Sequence, residues 1–122
     1  MPHTNYEELA KKINRMFEDL RIKNQAIDAL EKSLTCHKVN VQRSENALNR
    51  YKLRCALMEQ FLNKIPLDEK RIMLERNAHP RMRVTFYAER ANLSLKRYEE
   101  KAKEASTRLA DMLAAIPGWE DI

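Results

Sequence analysis

Three histidines, two cysteines and a scatter of paired carboxylates are the first groups to test for chemistry in this chain. His3, His37 and His79 lie far apart, and the one thiol–imidazole pairing, Cys36-His37, joins immediate neighbours. Neighbours on a helix point about 100° apart, so this pair is badly placed to chelate one ion. Glu7-Glu8, Asp68-Glu69 and Glu99-Glu100 could act as acid and base only inside a concave, water-poor pocket that shifts their pKa values. A single glycine excludes a phosphate-cradling loop. The expectation is therefore no catalytic residue, no metal, no cofactor and no enzymatic activity. Neither cysteine belongs to a CxxC motif, which reads as reduced thiols and an intracellular, soluble protein, cytoplasmic or nuclear.

What must position these groups is helical. The 122 residues contain one Gly and four Pro, so turn signals are scarce and the elements are few and long. From Tyr6 to Ile65 an unbroken heptad repeat runs through the chain. Its a positions are Tyr6, Ile13, Leu20, Ile27, Leu34, Val41, Leu48, Cys55 and Leu62, all apolar. Its d positions are Leu9, Met16, Lys23, Leu30, His37, Ser44, Tyr51, Met58 and Ile65, with the polar exceptions in the middle third. Thr4 and Glu7 form a capping box, so the spacing predicts one helix over about 5–64, a rod of roughly 90 Å at 1.5 Å per residue. Polar His37 at a d position could fix register, and its protonation would then loosen the assembly.

Ile65-Pro66-Leu67 is the predicted turn, with Pro66 stopping the first helix and opening a second over about 68–115. The second seam reads Val84, Ala88, Ala91, Leu95, Tyr98, Ala102, Ala105, Leu109, Met112 and Ile116, with a break expected near 77–80 at Pro80. A short connection makes adjacent helices antiparallel. The fold expected is thus all-α, one domain, a long antiparallel two-helix coiled-coil hairpin completed by self-association or a partner subunit. A stripe of alanines would zip against the larger seam residues of the first helix. No stretch reaches the roughly 18 apolar residues of a membrane span.

Net charge is +5 and unevenly spread. Lys32, Lys38, Arg43, Arg50, Lys52 and Arg54 face only Glu45 within their stretch, and Arg76, Arg81, Arg83, Arg90, Lys96 and Arg97 face only Glu89. A hairpin would set these stretches opposite each other as one basic zone suited to an acidic protein surface. Arg43, Arg50, Lys52, Arg54, Arg83 and Arg90 are the expected partner contacts, with Phe86 from the adjacent aromatics Phe86-Tyr87. Trp119, in the tail 117–122, either caps the open end of the hairpin or docks elsewhere. These features predict a coiled-coil adaptor or structural subunit of a larger assembly. The alternatives are a nucleic-acid-binding protein using the basic midsection and a helical-finger regulator or chaperone of one globular partner.

Overall fold

A computed structural model of the chain describes residues 6–35 and 41–122. Thr4, Cys36 and His37 lie outside the described residues, as do the side chains of Leu34, Val41 and Ser44. Six α-helices occur among the described residues: α1 Tyr6–Arg21, α2 Lys23–Thr35, α3 Val41–Lys64, α4 Leu67–Ala78, α5 Val84–Arg90 and α6 Leu95–Ala114. The protein is all-helical, but it is not two rods.

The heptad stretch does not form one helix over 5–64. It is divided into α1, α2 and α3, and α3 runs back along α2 and α1. Lys23 Nζ reaches Glu59 Oε1 at 3.0 Å and Lys52 Nζ reaches Glu31 Oε1 at 3.8 Å, an antiparallel pattern. The seam is therefore covered from within its own length. Leu9, Ile13 and Met16 of α1 and Leu48, Tyr51, Cys55, Met58 and Leu62 of α3 are all buried, as is Ile65 beyond it. Burial of each such side chain contributes roughly 1.5–3 kcal/mol, and folding back captures it without a second chain. The polar d residue Lys23 opens α2 directly after the break at Ile22, and Ser44 falls in the first turn of α3, so both lie next to the interruptions of the seam.

Pro66 precedes α4, and the Asp68 carboxylate accepts the Glu69 N–H at 2.9 Å in its first turn. The face of α4 that turns inward is Glu69, Ile72 and Met73 rather than Leu67 and Leu74, which stay exposed. The second seam is also interrupted. Asn92 adopts φ 56°, its N–H bonds to Glu89 O, and the Leu93 N–H bonds to Ala88 O at 3.0 Å. This is a Schellman closure of α5 with asparagine in the left-handed position. Ser94 then caps α6 by accepting the Arg97 N–H at 3.2 Å. Val84 and Leu95, expected in the seam, open α5 and α6 and are exposed, whereas Ala88, Tyr98, Ala102, Ala105 and Leu109 are buried and Met112 is half-buried.

α1 meets α6 on its other side. Lys12 bonds main-chain oxygens of Glu120 and Ile122, while Phe17 and Arg21 share a depression with Ser106, so the two helices run antiparallel. One apolar cluster joins Leu9, Ile13 and Met16 to Met58, Phe61 and Leu62, to Ile72 and Met73, and to Tyr87, Tyr98, Ala105, Leu109 and Leu113. The alanines Ala102, Ala105 and Ala110 of α6 are part of the same cluster.

Candidate functional site

The corner formed by the end of α4, the following turn and α5 collects three of the expected partner residues, Arg83, Phe86 and Arg90. α4 stops at Ala78, ahead of Pro80, and Arg81 takes φ 65°. For a non-glycine residue this conformation costs on the order of 1–2 kcal/mol. Tyr87 holds the turn: its hydroxyl donates to His79 O and accepts the Met82 N–H at 3.1 Å. The rings form a chain, His79 edge-on to Phe86 at 5.8 Å, Phe86 to Tyr87 at 5.5 Å, and Tyr87 stacked on Tyr98 at 6.2 Å. Tyr87 faces the core. Phe86 is half-buried beneath the Arg90 guanidinium, 5.4 Å from its centroid, and Arg90 is itself paired with Glu75. Arg83 stands exposed at the start of α5.

The corner is flanked by concave surfaces. A cavity of about 690 Å³ between α4, α5 and α6 is lined by Ile72, Tyr87, Leu93 and Tyr98, and the ion pairs Asp68–Lys101 and Glu75–Arg90 lie at its edge. The Lys101 ammonium bonding to Asp68 holds that carboxyl below its ordinary range. Tyr98 is 3% exposed, and its hydroxyl has no hydrogen-bond partner among the described residues. Burial pushes this phenol up, partly opposed by the charge of Arg76.

Two further depressions, about 300 and 620 Å³, share Arg76, Arg81, Tyr87 and Ser106 as lining and so adjoin along one grooved surface from α1 to α6. The first adds Phe17, Glu18 and Arg21; the second adds Met82, Val84, Glu99 and Lys103. Among the described residues, Arg21, Arg76, Arg81, Arg83 and Lys103 are exposed cations with no carboxylate within 4.0 Å. Sequence reasoning missed this groove because its bases come from four separate segments.

The remaining expected contacts lie elsewhere. Arg43, Arg50, Lys52 and Arg54 belong to α3, which packs chiefly on α1 and α2, so the two basic stretches do not merge into one zone. Arg50 is exposed and Lys52 pairs with Glu31. Arg54 is not a surface contact. Its Nε lies 2.6 Å from Asp19 Oδ2, each side chain is only 10% exposed, and its guanidinium sits 5.5 Å from the Tyr51 ring. The Tyr51 hydroxyl donates to the Asp19 main-chain oxygen at 2.6 Å, and burial, reinforced by the Asp19 charge, pushes its pKa up to about 12. Asp19 and Arg54 both occupy the heptad position preceding a, at the flank of the seam.

Trp119 opens a single 3-10 turn, Trp119–Asp121, and packs against the apolar cluster. Lys12 Nζ anchors that turn, 2.8 Å from Ile122 O and 3.3 Å from Glu120 O. Burial, then the charges of Arg15 and Arg54, hold the Lys12 ammonium below its ordinary pKa. The tail thus closes the end of the α1–α6 pair.

No family model, curated protein or solved structure matches this chain. Among the described residues, no three His, Cys, Asp or Glu side chains converge as metal ligands, and no helix is long and apolar enough to cross a membrane.

Proposed function

We propose that this chain is a non-enzymatic helical adaptor or structural subunit that works by contact with other proteins in a larger assembly. The supporting observation is how its apolar surface is distributed. The seam of α1 and α3 is largely spent on internal packing, yet Leu67, Leu74, Met82, Val84 and Leu95 stay more than a third exposed from α4 to the start of α6. Leu67 is 61% and Leu74 39% exposed, and seven residues apart on α4 they share a face. Large apolar side chains left exposed on one helical face, as Leu67 and Leu74 are, are a usual mark of an interaction surface. Arg83 at the head of α5 adds an exposed charge beside Met82 and Val84.

The test is Leu67→Glu/Leu74→Glu, expressed in the source cells and fractionated by size under native conditions. The parent chain should travel in species well above its 14.4 kDa mass, while the variant, with unchanged helical circular dichroism, shifts toward the free chain. A parent chain that travels free, or a variant that keeps the parent's profile, contradicts the reading.

A further inference from the structure

We infer that the groove running from α1 to α6 past the α4–α5 turn is a docking site for an acidic peptide segment of a partner protein, an inference that deepens the adaptor reading. Among the described residues, Arg15, Arg50, Lys64, Arg71 and Lys96 are exposed with no carboxylate within 4.0 Å, but none of them lines either depression. Arg54, Arg90, Lys101 and Arg108 each hold a carboxylate of the chain itself. Arg21, Arg76, Arg81 and Lys103 line the groove with no carboxylate within 4.0 Å, Glu18 and Glu99 sharing that lining without pairing to them, and Arg83 stands beside it. Clustered cations in a concave surface reinforce one another's potential and repel one another, and both effects favour an incoming anion. Guanidinium groups bind carboxylates with two parallel hydrogen bonds, a geometry that an Asp- or Glu-rich strand can meet repeatedly.

Two features favour a peptide over a nucleic-acid backbone. Exposed Met82 and Val84 give the groove an apolar lip for an aliphatic side chain, as a peptide but not a phosphodiester chain requires. Of the rings that line it, Tyr87 and Tyr98 are buried and Phe17 is half-buried against the apolar cluster, which leaves little aromatic surface for base stacking. Glu18 and Glu99 in the lining would repel a uniformly charged polyanion and set the register of a segment with uneven charge.

The probe is a fluorescein-labelled peptide of glutamates interrupted by one leucine, titrated with the full chain at low ionic strength and followed by anisotropy. Saturable binding is expected, weakening as salt is added. Arg81→Glu/Lys103→Glu should weaken it roughly tenfold or more, since two exposed contacts become repulsions. Arg50→Glu/Lys64→Glu on α3 changes net charge equally, touches only exposed side chains and should leave affinity within about twofold. Arg81→Gly removes one cation while relieving the positive φ, so it should weaken binding with stability preserved. Absence of binding, equal loss in both double variants, or tighter binding of a single-stranded oligonucleotide of matched charge overturns the assignment. Failure here leaves the Leu67/Leu74 experiment standing, because that variant leaves every groove cation in place.

Discussion

Removing the Asp19 carboxylate leaves the Arg54 guanidinium buried without its counter-charge, and the cost can be worked from the geometry. The pair meets at 2.6 Å with both side chains 10% exposed, so water neither screens it strongly nor replaces the lost partner. Breaking such a pair from one side costs about 3–5 kcal/mol. Unfolding entropy of roughly 2.1 cal/mol/K per residue over 122 residues is about 0.26 kcal/mol/K, so a loss of about 3 kcal/mol lowers Tm by about 12 °C. Asp19→Ala and Arg54→Met should each show a drop of this order in thermal or urea unfolding followed by circular dichroism. The double variant, with no stranded charge, should cost well under their sum, giving a coupling of about 2 kcal/mol. The cycle also discriminates between folds. In one continuous helix, positions 35 residues apart are separated by about 52 Å and cannot couple. Coupling below about 0.5 kcal/mol would refute the fold-back of α3 on α1 as the source of this pair.

Three other outcomes follow from the same packing. Because the Tyr51 phenol titrates near 12 in the fold and near its ordinary 10 when unfolded, its contribution is complete below pH 10 and is lost as pH rises toward 12; Tyr51→Phe should flatten that alkaline decline in urea unfolding midpoints. Asp68 has the opposite sign: with its folded pKa depressed by Lys101, its contribution is present above the unfolded value of 3.8 and lost as pH falls below it, so Asp68→Asn should reduce the acid sensitivity of unfolding while an unchanged acid limb contradicts the contact. Cys55 is fully buried with its thiol pushed up by burial, so it should resist a thiol-specific reagent in the native chain and react on unfolding; rapid native labelling at Cys55, located by peptide mapping, would contradict the packing of α3.

Much of the burial pattern was legible from spacing alone. Leu9, Ile13, Met16, Tyr51, Cys55, Met58 and Leu62 repeat at three and four residues and are buried. Periodicity says that a seam must be covered; it does not say by what. The same a and d positions serve a rod paired with another helix and a rod folded on itself. The discriminating signal was the polar interruption at Lys23, His37 and Ser44, three d positions at which a continuous seam is weakened. The interruption between α5 and α6 was also written in residue types, Asn92 for the left-handed closure and Ser94 for the cap, but the regular alanine spacing masked it. Asp19, Arg54 and Phe61 could not be placed from a two-helix pattern, because they flank the seam and their burial follows from how the fold packs its helices together. The groove was hidden for a related reason. Its cations come from α1, from α4 and the turn after it, and from α6, and only the fold brings Arg21, Arg76, Arg81 and Lys103 to one surface.

The fold-back of the heptad stretch is the central claim about the fold, since through it α1 and α3 bury their seam within one chain. Zero-length carbodiimide cross-linking of a mixture of unlabelled and nitrogen-15-labelled chains, read by mass spectrometry, tests it directly on the unaltered sequence. Lys23–Glu59, at 3.0 Å, and Lys52–Glu31, at 3.8 Å, should appear as links within single chains. Absence of both, or their appearance only as mixed-isotope links between chains, would contradict it.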